Sequence, residues 1–446
     1  MVLAAIKPDM EIAKRIIAKM ESHWRVEETH QGIYRPCYDR AEEEAIDACI
    51  IEAKALGLKS MRDIAGNVYL LMEGTDPAQP VILSGSHVDS VPYGGRYDGT
   101  AGVVAALSAI GGIKNAGIQL DHGLCVMICR GEESAWFGQV SIGTKFAVGQ
   151  LPEEVLARPN IHADNLTLGN AMRGLGLHPE RLAQGTPLLP LAHISCFIEL
   201  HIEQGPMLER KGIAIGIVSG IRGNIRFQKI ECRGEAGHTG TVPHEMRKDA
   251  VRATSRLMTE LEDYFLDMQQ EGRDLVFTFP IVKTSPAASL TTIPDYCECA
   301  IEVRSESNEA LDICKTAIER ALQQIAARYH VTFTVAQQPT RSAPAAMTPF
   351  IQEKLNLYAT ELGITTMTLP SGAGHDAAVL ANAGIPSAMI FIRHDGISHR
   401  HDESMDWQDF TAGTELLTQF FCKYSGSKAA SIGFRKALLE LGAQDL

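Results

Sequence analysis

With 446 residues, 45% of them hydrophobic and 21% charged, the chain is too long for one ordinary core and too apolar for disorder, so two domains are expected. Its 41 basic and 54 acidic residues leave a net charge of −13. That balance, with no basic stripe or aromatic-rich RNA-binding signature, argues against a nucleic-acid partner, because neutralising phosphates takes clustered Lys and Arg.

In chain order, MVLAAIKPDMEIAKRIIAKM reads as an amphipathic helix and not as a signal peptide, since no uninterrupted apolar stretch leads to a cleavage site. PVILSGSH (80–87), HGLCVMICRGEE (122–133), ISCFIELHIEQG (194–205) and IPSAMIFIRH (385–394) read as buried strands with polar residues where each apolar run stops. Between them, TAGVVAALSAIGGIKNAG (100–117) and DAAVLANAG (376–384) read as apolar helices ending in glycine. This alternation is the mark of an α/β protein, and open α/β sheets place their sites at strand ends. From about 216 to 338 the pattern changes to alternating strands (NIRFQKIECRG, YCECAIEVRS, VTFTVAQ) and two amphipathic helices. That stretch reads as an α+β domain inserted into a catalytic α/β domain made of 1–215 and 339–446. Its sheet is expected to pack one face on helices and leave the other open. The last twenty residues read as a surface helix. No run approaches the ~18 apolar residues of a membrane span, so no membrane contact is expected. The ten cysteines are scattered without paired C-x-x-C spacing, Cys297 and Cys299 sharing one face of a strand. Reduced, buried thiols of this kind suit a cytoplasmic protein.

The chemistry gathers at four strand ends. In GSHVDSVPYGGRYDG (85–99), His87 closes a strand and Asp89 points to the same side, where it can hold the other ring nitrogen. Asp98 follows in a glycine-rich turn that lets its carboxylate approach His87. The loop lacks the GK[ST] ending of a phosphate cradle. Glu132 and Glu133 are adjacent at an apolar strand end, so one can ligate a metal while the other faces its water. His201 lies in FIELHIEQG and His399 in GISHRHDES. One such histidine alone is an ordinary core residue; four strand ends each delivering His, Asp or Glu suit a dinuclear site for zinc, manganese or cobalt. No G-x-S-x-G elbow of a serine hydrolase is present.

GSHVDSVPYGGRYDG, GEES, ELHIEQGP, GEAGHTGTVPHEMRKDA, SGAGHDA and GISH, in this order, resemble the hydantoinase/carbamoylase family of metal-dependent amidohydrolases. That family includes N-carbamoyl-L-amino acid hydrolases, β-ureidopropionases and allantoate amidohydrolases, and is related to aminoacylases and metal-dependent exopeptidases. The resemblance runs from about Gly66 to Ser404. It implies a dinuclear-metal hydrolase of a linear amide in an N-carbamoyl or ureido acid, with a central mixed sheet and a ferredoxin-like inserted lid that also dimerises the chain. Of two divalent ions per subunit, one is expected on His87 and His201 and the other on Glu133 and His399, with Asp98 bridging and Glu132 as general base. His238, in GEAGHTG, is implied to stabilise the oxyanion from the partner subunit. Gln204, Arg304 and the Gly374-His375 turn match positions that hold a small carboxylate substrate.

Two departures bear on the substrate. Thr291 in TTIP stands where the family has Asn, and a hydroxyl cannot reproduce an amide's paired donor and acceptor. Ser134-Ala135-Trp136-Phe137 replaces Gly-Ser-Arg-Phe after the glutamates, and a large aromatic there is expected to reshape the pocket. An aminoacylase or dipeptidase would share every metal ligand, and a metal-free binding protein on the same scaffold is the alternative outside enzymology.

Overall fold

The structure, a computed structural model, describes residues 6–394, 398–424 and 433–446. It divides into two compact units: Gly220–Ala345, and the chain on either side of that segment.

The larger unit is built on one mixed sheet. Across it run strands Ile215–Ile221, Ser387–Ile392, Ile194–Ile202, Val81–His87, Leu124–Cys129, Val68–Met72, Lys59–Arg62 and Gln444–Asp445. The four central strands, from Ser387–Ile392 to Leu124–Cys129, are mutually parallel. They are buried at every position but Ser195, as strands covered on both faces must be. Their apolar runs were for this reason legible as strands. The helix Thr100–Asn115 is buried on nearly every side, which its all-round apolar composition (TAGVVAALSAIGGI) requires. It packs among Met10–Met20, Trp407–Lys423 and the sheet in the main core. Among the described residues, no helix is long and apolar enough to cross a membrane.

The smaller unit follows a β-α-β-β-α-β order with a four-strand path Val276–Thr284, Tyr296–Ser305, Gly223–Arg233, Thr332–Val335. All its ladders are antiparallel, the ferredoxin-like arrangement. Alternation along Gly223–Arg233 turns Ile225, Phe227, Ile230 and Cys232 onto helices Ala250–Gln270 and Asn308–Tyr329. The opposite face carries charged ladders, with Glu302 paired to Arg226 at 2.6 Å and to Arg304 at 3.0 Å. Residues 216–219, grouped by the sequence with this segment, continue a strand that pairs with Ser387–Ile392 in the large sheet.

The C-terminal surface helix is corrected in part. Residues 427–432 lie outside the described residues, but Phe434, Ala437 and Leu438 of Phe434–Glu440 are buried. Gln444–Asp445 then pairs with Lys59–Arg62 and covers that sheet edge.

One buried ion pair ties the N-terminal helices to the strand end that carries the two glutamates. Arg130, fully buried, meets Glu42 at 2.7 Å and also Glu43, both on helix Arg40–Ala55. Replacing Arg130 by Met removes one partner and leaves two carboxylates without it, which should cost about 3–5 kcal/mol. The expected result is a clearly lower midpoint in urea unfolding; an unchanged midpoint would show the pair to be dispensable.

Candidate active site

At the carboxyl ends of the parallel strands, His87 and His201 are 2% and 1% exposed. The Nδ1 of each lies against a backbone carbonyl, that of Asp89 at 3.0 Å for His87 and that of Ile202 at 2.8 Å for His201. Donation from Nδ1 fixes the tautomer in which Nε2 presents its lone pair inward, the form a metal ligand needs. Both Nε2 atoms face the same oxygen, Asp98 Oδ1, at 3.8 and 3.2 Å. The other oxygen, Oδ2, faces His399 Nε2 at 3.3 Å, and that nitrogen is 3.6 Å from Glu133 Oε1. Two donor sets therefore share one carboxylate: His87, His201 and Asp98 on one side, Asp98, Glu133 and His399 on the other. Gly396 and Ile397 of the GISH motif lie outside the described residues.

The loops are held for this purpose. Gly99 adopts φ +64°, and a Cβ there would sit 2.4 Å from His87 Nε2, so only glycine lets Asp98 turn in beside the ring. Glu403 accepts from the backbone N–H groups of Tyr97 and Asp98 at 2.8 and 3.2 Å. Asp89 does more than orient an imidazole. Its carboxylate is 3.4 Å from His87 Nδ1, while its two oxygens accept the N–H groups of Glu132 and Glu133 at 3.1 Å each. It thereby fixes both glutamates relative to His87. Gln204 and His399 both sit at positive φ, 58° and 60°, strained backbone of the kind kept at functional sites.

Electrostatics here are dominated by buried acid. Asp89, Asp98, Glu132, Glu133, Glu199, Asp376 and Glu403 are all 8% exposed or less. Burial pushes Glu132 up to about 8, with Asp376, Asp89 and Asp98 adding to the shift and His87 opposing it. Burial also disfavours a charged His87, yet Asp89, Glu132 and Asp98 outweigh it and hold that ring well above the usual histidine value. Asp98 goes the other way: burial would raise it, but His201 and His399 keep it well below the usual carboxylate range. Such a cluster draws in positive charge, and imidazole nitrogens with carboxylate oxygens suit a zinc, manganese or cobalt ion on each side of Asp98. The residues present fit such a centre.

The expected substrate contacts are distributed as follows. Gln204 donates to Asp98 Oδ2 at 2.8 Å and to Ser398 Oγ at 3.2 Å, and its Oε1 is buried without a partner among the described residues. His375 is buried with Nε2 at 2.8 Å from Ser371 Oγ, its ring 4.6 Å from that of His201. Burial, then the neighbouring His201, hold it well below the ordinary histidine range. Gly374 is exposed beside it. His238, Thr291 and Arg304 belong to the smaller unit. There His238 is exposed and its Nδ1 accepts from Gly240 N at 3.0 Å, with Thr239 N bonded to the Thr291 carbonyl at 3.0 Å. Trp136 corrects the sequence reading. It is 1% exposed, packs edge-on against Tyr34 and His162, and donates to the Ser90 carbonyl at 2.8 Å, so it is a core residue and not a pocket wall.

Sequence reasoning passed over Glu199, Asp376 and Glu403 as site residues. Glu199 shares a face of its strand with His201, accepts from Ser86 Oγ at 2.6 Å and Ala377 N at 2.9 Å, and groups with His201 and His375. The i, i+2 spacing of Glu199 and His201 on a buried strand is the signal that could have found it. Asp376 accepts from Thr144 Oγ1 at 2.7 Å.

The model for peptidase family M20/M25/M40 matches residues 83–423. An N-carbamoyl-L-amino acid amidohydrolase of Geobacillus stearothermophilus is 32% identical over 86% of this chain and 92% of its own. A ureidoglycolate hydrolase of Arabidopsis thaliana is 30% identical over 83% of this chain and 77% of its own. Among solved structures, a hydantoinase/carbamoylase family amidase from Burkholderia multivorans superposes with a TM-score of 0.84 at 26% identity, covering 95% of this chain and all of that one. The donor set around Asp98 and these matches together place the chain in peptidase family M20/M25/M40, as an amidohydrolase of linear C–N bonds in the hydantoinase/carbamoylase group.

Proposed function

We propose that the chain hydrolyses the ureido group of an N-carbamoyl amino acid or a related ureido acid. The observation that carries the reading is Asp98, one carboxylate whose two oxygens face two separate donor sets with Glu132 and Glu133 alongside. His87, His201 and Asp98 would hold one divalent ion, and Asp98, Glu133 and His399 the other. When bound, such ions supply Lewis acidity that polarises the carbonyl and acidifies water near neutral pH.

The residues do the rest. Glu132 takes a proton from the attacking water and passes it to the leaving nitrogen as the C–N bond breaks. Asp89 keeps its backbone in place through the bond to Glu132 N. In the carbamoyl case the products are the amino acid, ammonia and carbon dioxide. Gln204, Thr291, Arg304 and the Gly374-His375 turn are the proposed substrate contacts, and the planar guanidinium fork of Arg304 suits a carboxylate. His238 would donate to the developing oxyanion, its exposed ring reaching the site of a partner subunit in a homodimer formed through the smaller unit. Thr291, in place of an amide, narrows the contacts available there. Ten unpaired cysteines, nine of them buried, support a cytoplasmic setting.

Four measurements test this. Glu132→Gln should lower kcat by about 10²–10⁴-fold at unchanged metal content, and near-full activity would remove Glu132 from its role as base. Stripping metal with a chelator should abolish turnover, and manganese, zinc or cobalt should restore it; activity that survives complete stripping contradicts the metal assignment. N-carbamoyl-alanine should be cleaved in preference to N-acetyl-alanine or a dipeptide, the reverse order indicating an aminoacylase or peptidase. Mixing inactive His238→Ala and Glu132→Gln subunits should return part of the activity; exchange without recovery would sink the shared site.

A further inference from the structure

Arg35 follows strand Gln31–Ile33, ahead of the residues that the family model matches. It is 1% exposed, so its guanidinium has given up hydration, and among the described residues it forms no ion pair of the kind that accounts for Arg130. Burying such a group is costly unless its donors are used. Two of them are used, and on two different segments. Nε donates to the carbonyl of Val88, between His87 and Asp89. Nη2 donates to Thr100 Oγ1 at 2.9 Å, at the start of the helix that follows Asp98 and Gly99. The third nitrogen, Nη1, is buried without a hydrogen-bond partner among the described residues. The backbone of the same residue grips the first segment again: Arg35 N donates to Ser90 Oγ at 3.2 Å and Ser90 N donates to the Arg35 carbonyl at 3.0 Å.

Strand Val81–His87 and the Asp98 turn are joined by ten residues of irregular chain that include Gly94 and Gly95. That connection is pinned in its middle, where Gly94 bridges to Ile33, and at its far end, where Glu403 holds the N–H groups of Tyr97 and Asp98. None of these contacts reaches both the strand end at His87 and the helix start after Asp98, whereas the planar fork of Arg35 has one branch on each. We propose that Arg35 is a positioning residue for the dinuclear centre, a guanidinium clip that sets the spacing between His87 and Asp98. The inference rests on reading the Asp98 cluster as a metal site. It assigns a role to a part of the chain that contributes no ligand.

The test uses the full-length chain stripped of metal. Affinity for Zn²⁺ and Mn²⁺ is measured by competition with a chromogenic chelator, Co²⁺ is added to read the coordination from its visible spectrum, and the urea midpoint of the metal-free protein is recorded alongside. Arg35→Met keeps the bulk and removes the donors. It should weaken binding about 10–100-fold, the range for groups that orient metal ligands, and alter the Co²⁺ spectrum. Arg35→Lys, able to reach one segment at a time, should fall between Met and wild type. Wild-type affinity and spectrum in Arg35→Met would overturn the proposal, whatever happens to its urea midpoint. If Arg35→Met does not fold, Thr100→Val decides, because it removes one end of the clip at constant shape: weaker binding supports the proposal and unchanged binding overturns it. A wild-type chain that takes up no divalent ion would instead bring down the metal reading, and the clip with it.

Discussion

Carboxylates taken out of water repel one another and lose their hydration, so a buried group of them persists only around something positive. Much of the larger unit can be read as the consequence of that requirement. Parallel strands bring acidic residues to one end of the sheet, and the two histidines there turn Nε2 toward the shared Asp98 because backbone carbonyls hold Nδ1. The loops between are clamped by further acids, Glu403 on the Asp98 turn and Asp89 on the paired glutamates. Each acid that holds a loop adds to the negative field it serves. The field lifts His87 above its ordinary pKa while the histidines draw Asp98 down, two sides of the same attraction.

How much of this was legible in sequence depended on how far a residue's partner lies along the chain. His87, His201 and the Glu132-Glu133 pair each end a long apolar run, and a run followed at once by polar groups is a local signal. The central strands and the apolar helix after Asp98 were readable for the same reason. Glu403 was not: it sits in HDES with no periodic context, and its partner, Asp98 N, is 305 positions away. Asp376 resembles an ordinary first-turn acid of a short helix, and only its bond to Thr144 shows where it faces. Trp136 was misjudged because nearness in sequence to Glu133 suggested nearness in space. The indole instead turns into a local core with Cys37, Phe137 and Ile142, with Tyr34 packed against it. The C-terminal strand was hidden by its brevity, two residues that gain their structure from the edge they cover.

The smaller unit obeyed simpler rules. Its period-two strands bury one face on two amphipathic helices and carry ion pairs on the other, so Arg304 lies in a charged ladder with Glu302. That face is polar and cross-linked by ion pairs.

The chain passes through the larger unit, leaves it for the whole of Gly220–Ala345, and returns. On the ribosome this orders events. The smaller unit is contiguous and can close its own core while His399 is still to be made. The strands that end in His87 and His201, with the Asp98 turn, emerge early, and their buried acids wait for the chain to come back. Four of the five proposed ligands, His87, Asp98, Glu133 and His201, are thus made before the smaller unit, and His399 is made after it. A nascent chain stalled within the smaller unit would carry the first three-residue set without His399, separating by time of synthesis two positions that share a single carboxylate.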